Sequence, residues 1–139
     1  MPIREESYDL FGSSDGTTYS YAKAISTSAD GSITGNALDL RAEAPAKVAE
    51  YRVFIDITTA CTGLTSLSAK IQHSADNGSS DAYSDLVAGA SVLLAAATKG
   101  KRLLEVRLPA NCKRWIKAVV TNVGTATAGA VGGNVEAIV

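Results

Sequence analysis

Four separate runs of this chain place an apolar residue at every second position. In AEYRVFIDITTAC, Tyr51, Val53, Ile55 and Ile57 share one face, with Arg52, Phe54, Asp56 and Thr58 on the other. In SLSAKIQHS, Leu67, Ala69, Ile71 and His73 alternate with Ser68, Lys70, Gln72 and Ser74. In RLLEVRLP, Leu104, Val106 and Leu108 alternate with Leu103, Glu105 and Arg107 before Pro109 ends the run. In CKRWIKAVVTNV, Ile116, Ala118 and Val120 alternate with Trp115, Lys117, Val119 and Thr121. Successive strand side chains point to opposite sides of a sheet, so this period is that of half-buried strands and not of helices.

Turn residues separate the runs: Asp30-Gly31, Thr62-Gly63, Asn77-Gly78, Lys99-Gly100, Pro109-Ala110-Asn111 and Gly124-Thr125. Glycine supplies positive φ, and Asp or Asn bonds the backbone of the turn. Strands are expected near 19–26, 32–40, 50–60, 65–73, 83–87, 91–97, 102–108 and 113–122, and a further run at 128–138 closes the sheet. Two segments fit less well. Residues 40–50 are alanine-rich and could make a helical turn, though Pro45 would interrupt it, and SVLLAAATKG is alanine-rich too, though short and framed by glycines. The expected fold is an all-β, antiparallel jelly-roll sandwich of about eight strands over residues 19–139, preceded by an N-terminal arm, residues 1–18.

Composition narrows the function classes. At 139 residues, 46% hydrophobic and 19% charged, the chain can bury one core. A net charge of −1 offers no basic excess for phosphates, so no nucleic-acid partner is expected. The basic cluster Lys99, Lys101 and Arg102 reads as a solvated turn and strand start. Arg4, Glu5 and Glu6 stand where a signal peptide needs an apolar run, and the longest apolar stretch, residues 86–97, is short and broken by glycine. The expectation is a chain made in the cytoplasm with no membrane partner. Cys61 and Cys112 have no metal-site spacing and are expected to be reduced and buried.

The stretch IQHSADNGSSDAYSDL holds the single histidine, His73, with Asp76, Asp81 and Asp85. One histidine is too few for a zinc site, and the carboxylates lack the spacing of a calcium loop. No nucleophile elbow, P-loop or dinucleotide fingerprint occurs. The stretch therefore reads as strand, polar loop, strand, with acid–base work by His73 as the rival. No catalytic residue, metal or cofactor is expected. Arg4 and the aromatics Tyr8, Phe11, Tyr19 and Tyr21 lie in a polar segment where they either anchor to another surface or fold back on the sandwich. Trp115 suits the core or a subunit interface. Ala128, Ala130 and Gly132 allow close backbone approach, between subunits or within one.

Three stretches in order, IQHSADNGSSDAYSDL (Ile71 to Leu86), RLPANCKRWIKAVV (Arg107 to Val120) and GTATAGAVGGNV (Gly124 to Val135), resemble the small jelly-roll cement, or decoration, proteins of tailed bacteriophage heads. The resemblance covers roughly residues 25–139 and rests on structural motifs. It implies a homotrimer on the outside of the capsid, near three-fold positions, that bridges neighbouring subunits of the major capsid protein and stabilises the shell. It implies no cofactor and no reaction. Arg4, Tyr8, Phe11, Tyr19 and Tyr21 would then be capsid contacts, and Trp115, Ala128, Ala130 and Gly132 trimer contacts. The rival binding function is a tail, fibre or surface carbohydrate-binding sandwich module.

Overall fold

The computed structural model of the chain describes residues 9–14, 17–40 and 50–138. Its strands are β1 (Ser13–Ser14), β2 (Tyr19–Ser20), β3 (Ala22–Ala24), β4 (Ser32–Thr34), β5 (Leu38–Asp39), β6 (Glu50–Thr62), β7 (Ser66–Ser74), β8 (Ser84–Ala88), β9 (Val92–Leu93), β10 (Arg102–Arg107), β11 (Trp115–Val123) and β12 (Ala128–Ile138). One sheet has the order β3-β12-β6-β10. The other has the order β4-β11-β7-β8, with β5 also paired to β11 and β9 to β7. Counting β4 with β5 and β8 with β9, each sheet has four antiparallel strands. Every connection from β3 onward crosses between sheets except the β7–β8 hairpin, which is the double Greek key of a jelly roll.

The alternation in the sequence sets which faces meet. Val53, Ile55 and Ile57 of β6, Leu67, Ala69 and Ile71 of β7, Ile116, Ala118 and Val120 of β11, and Val131 and Val135 of β12 are all buried between the sheets. Each large one contributes roughly 1.5–3 kcal/mol by leaving water. A one-residue slip of any strand would turn this set outward, so burial also fixes register.

Two expected strands are interrupted. Residues 19–26 give β2 and β3, separated where the Ser20 hydroxyl engages the Ala22 backbone. Residues 32–40 give β4 and β5, separated where Gly35 N–H donates to the Ala118 carbonyl (2.8 Å) and Asn36 N–H to the Leu10 carbonyl (2.7 Å). The strand expected at 91–97 is a correction: only Val92–Leu93 is strand, and Leu94–Ala96 form one 3₁₀ turn. Here the chain leaves one sheet for the other. Leu94 N–H donates to Thr65 at the β7 side, and the Ala97 carbonyl then accepts the Cys61 N–H on β6. Three alanines in a row have little strand preference to resist that turn. The helical turn considered for residues 40–50 falls on residues 41–49, outside the described residues.

The N-terminal segment is part of the sandwich where it is described. Asp9 bridges Asn134, and Leu10 N–H donates to the Gly133 carbonyl (3.1 Å), on the β12 edge that β3 occupies further along. Leu10 and Phe11 are buried in the core. The Asp9 carboxylate accepts the N–H groups of Phe11 and Gly12 (2.9 Å each), and the Asn36 amide donates to the Gly12 carbonyl (2.8 Å). Gly133 makes this approach possible: a Cβ there would stand 2.8 Å from the Phe54 carbonyl oxygen and 3.1 Å from Leu10. An edge strand covered in this way is protected from unwanted pairing.

Candidate functional site

The stretch around His73 is a self-bonded polar knot. β7 ends with His73 facing inward and Ser74 fully buried. The Ser74 hydroxyl accepts the N–H groups of Gly78 (2.8 Å) and Asp76 (3.3 Å) and donates to the Asp81 carbonyl (2.6 Å). Asn77 and Gly78 both take positive φ, 58° and 79°, which turns the chain back. The Asp76 carboxylate accepts the N–H groups of Ser80 (2.8 Å) and Asp81 (3.0 Å). The Asp81 carboxylate accepts the Ala75 N–H and the Lys113 ammonium, both at 2.8 Å. Lys113 also donates its backbone N–H to His73 Nδ1 (3.2 Å), which puts the proton of the neutral ring on Nε2. The knot therefore fastens the β7–β8 loop to the segment that leads into β11.

Its electrostatics favour charged carboxylates. The backbone N–H groups of Asp81 and Ser80 hold the Asp76 carboxyl below its ordinary range. The Lys113 ammonium, then the Ala75 N–H, does the same for Asp81. Asp85, on β8, is held down by the Gln72 amide and then by Lys70. A general acid near neutral pH needs the opposite shift, and a general base needs a free lone pair. His73, Asp76 and Asp81 are engaged in holding backbone, and Asp85 in bonding the Gln72 and Lys70 side chains. Among the described residues no three His, Cys, Asp or Glu side chains gather where they could hold a metal ion. Both cysteines are buried and outside any disulfide, and burial pushes the Cys61 thiol up, away from the reactive thiolate.

The other residues expected to make contacts are scattered. Arg4 and Tyr8 lie outside the described residues. Phe11 folds back: at 2% exposure its ring is core and has no face left for a partner. Tyr19 and Tyr21 are half-buried and meet edge-to-face, ring centroids 4.6 Å apart, with Tyr19 lying across Gly12. Trp115 is not core. It stands half-buried on the outer face of β11, 5.8 Å from the Arg114 guanidinium, which itself makes two 2.7 Å bonds to Asp39. Ala128 is exposed. Ala130 pairs with Ala24 and Thr59 inside the subunit, and Gly132 is buried where a Cβ would meet the Tyr21 carbonyl and Thr58, both at 3.1 Å. Of these three, Gly132 thus serves close packing within the subunit. Lys99 and Lys101 flank an exposed turn at Gly100, as their polarity implies, while Arg102 pairs with Asp56 and Glu105.

One feature was missed by the sequence reading. Leu93, Leu94 and Val123 are the exposed large hydrophobics among the described residues. Strand register puts two of them in one row, Val123 opposite Ser66 and Ser66 opposite Leu93, on the outer face of the β11–β7–β9 sheet. Alternation did hold the signal for Val123, but no local motif marks an outward apolar residue as anything other than a surface valine.

No curated protein sequence matches the chain. The sequence profile of one family, Bbp16, does match, over residues 19–135. That span starts at β2 and reaches well into β12, so it takes in every strand of both sheets. The family's name points to a phage protein. Covering the jelly roll as it does, the match shows that this chain belongs to the Bbp16 family.

Proposed function

We propose that the chain is a structural virion protein, a capsid cement that sits on the outside of a tailed-phage head and staples neighbouring subunits of the major capsid protein. The observation that carries this is the Bbp16 match across the whole jelly roll. The three stretches that resemble phage cement proteins supply the finer role, and all of them fall inside the matched span. The role asks for a rigid body with docking surfaces and for no reaction or cofactor. The engagement of His73, Asp76 and Asp81 in loop bonding supports a non-catalytic reading. A glycan-binding module would stack sugars on exposed rings, yet Trp115 and Tyr83 each carry a cation beside the ring, Arg114 and Lys117.

Co-sedimentation of the purified chain with expanded heads stripped of it tests the proposal. The expected result is saturable binding with a fixed number of copies per major capsid subunit and greater resistance of the loaded heads to heat. The copy number reads the assembly: three per site supports the homotrimer that the resemblance implies, and two replaces it by a dimer. No binding by a chain with an intact far-ultraviolet spectrum overturns the cement role.

A further inference from the structure

Antiparallel register divides the loops between two ends of the sandwich. Trp115 lies opposite Ser74 on one side and Asp39 on the other, so the β7–β8 loop and the segment before β11 share one end. Ser66 lies opposite Val123 and Leu93, and Thr62 opposite Ala128. Residues 63–65, 89–101 and 124–127 therefore cluster at the other end. The exposed Leu93 (65%), Val123 (50%) and Leu94 (39%) all belong to this second end. Val123 and Leu93 are two strand spacings apart, about 10 Å.

The charge pattern is equally uneven. None of residues 59–69, 88–98 and 121–130 is charged, in a chain whose composition is 19% charged. Loops that face only water have no reason to shed charge, whereas the centres of protein contacts are depleted of it. The charges that do occur here are Lys99 and Lys101 on the Gly100 turn and Asp30 on the neighbouring loop. Asp30 is exposed, and its carboxylate accepts the Gly124 N–H (2.9 Å). Lys99 and Lys101 are exposed and have no ion pair among the described residues. Two exposed lysines against one carboxylate that already holds a backbone N–H leave this rim net positive, better matched to a surface that presents carboxylates than to a second copy of itself.

The platform is also stiff. The buried Asn122 amide donates to the Ser28 (3.1 Å) and Gly124 (2.7 Å) carbonyls, and the hydroxyls of Thr62 and Thr127 bond at 2.7 Å. Contacts held in place before binding cost less to order on binding.

We infer that this end is the shell-facing one, docking Leu93, Leu94 and Val123 into an apolar seat on the capsid surface while Lys99 and Lys101 meet carboxylates at its margin. The inference rests on the cement reading and adds the face and the chemistry of the partner. Three side chains do not make a whole interface of roughly 800 Å² per partner, but a small central cluster commonly carries most of the binding energy.

The experiment is binding of Leu93→Asp, Leu93→Met and a Lys99→Glu/Lys101→Glu double variant to stripped heads, beside the unaltered chain. Leu93→Asp is expected to bind at least about 30-fold more weakly and Leu93→Met within about threefold. The double lysine variant is expected to bind more weakly and to lose much of the salt dependence. Circular dichroism checks each fold, and Leu93→Ser replaces Leu93→Asp if the charge unfolds the chain. Equal binding by the unaltered chain and the Leu93 variants overturns the docking face while leaving the cement role standing. A change in the sedimentation of the free chain with Leu93→Asp makes the face a contact between copies, which also overturns it. Absence of binding by the unaltered chain overturns both readings.

Discussion

The two ends of this sandwich are closed by different chemistry. At the end that holds the β7–β8 loop, side chains bond backbone: Ser74, Asp76 and Asp81 collect five N–H groups, from Ala75, Asp76, Gly78, Ser80 and Asp81, and Lys113 ties the result to β11. At the far end the turns are closed chiefly by backbone and by neutral groups. Thr65 N–H donates to Val123 (2.7 Å), Thr127 N–H to Thr62 (2.8 Å) and Leu94 N–H to Thr65 (3.1 Å), with Asn122 at the centre. A charged end that satisfies itself is at ease in water. An end with charge only at its rim that leaves leucine and valine outside is stable as a fold but incomplete as a surface.

The strongest contrast should come from removing the organiser of each end. Asn122 is 1% exposed, so Asn122→Ala strands the Ser28 and Gly124 carbonyls and opens a small cavity. A loss of about 2–4 kcal/mol in global stability is expected in urea denaturation. Ser74→Ala releases two N–H groups and the Asp81 carbonyl, but into a loop whose tip is already exposed, where water can replace the hydroxyl. Its expected loss is smaller, about 1–2 kcal/mol, with amide exchange faster at Gly78 than in β6. If Ser74→Ala costs as much as Asn122→Ala, the two ends are equally tied to the core and the contrast is wrong.

Acid should separate the ends without any mutation. Asp76 and Asp81 have folded-state pKa values below their unfolded ones, near about 3.9. Their contribution is therefore complete above that value and is lost as pH falls through the folded pKa. Amide protection factors at Ala75, Ser80 and Asp81 are expected to fall as the pH drops below about 4. The Asn122 amide and the threonine hydroxyls do not titrate, so protection at Asn122 and Thr127 should persist until the whole domain unfolds. Simultaneous loss at both sets of amides would mean that acid acts on the global fold and that the knot has no separate stability.

Much of the architecture could be read from local pattern because it is written in local pattern. Val53, Ile55 and Ile57 announce a strand by themselves, and Asn77-Gly78 and Gly124 announce turns, each by its own backbone needs. The outward position of Trp115 was also implied, since it alternates with Ile116, Ala118 and Val120. What escaped depends on distant partners. Leu10 and Phe11 are adjacent and aperiodic, and their burial depends on bare backbone at Gly35 and Gly133. The residue that completes the His73 knot, Lys113, stands 32 positions beyond Asp81. The break after Leu93 follows from the need to cross between sheets, which no single strand can reveal.

Val92 and Leu93 put the contrast into two adjacent residues. Val92 points inward and is buried, paired with Leu67, whereas Leu93 points outward, paired with Ser66. Val92→Ala removes two buried methyl groups and is expected to cost about 1.5–2.5 kcal/mol. Leu93→Ser removes a larger side chain that is 65% exposed, and it should change global stability by less than about 0.5 kcal/mol. Urea midpoints for the two variants make the comparison within one strand, so differences in backbone context are small. A neutral Leu93→Ser would show that folding places no demand for leucine at 93, leaving contact with another surface as its use. A loss of more than about 1 kcal/mol would instead make Leu93 part of this subunit's own packing, and the docking end would lose its central residue.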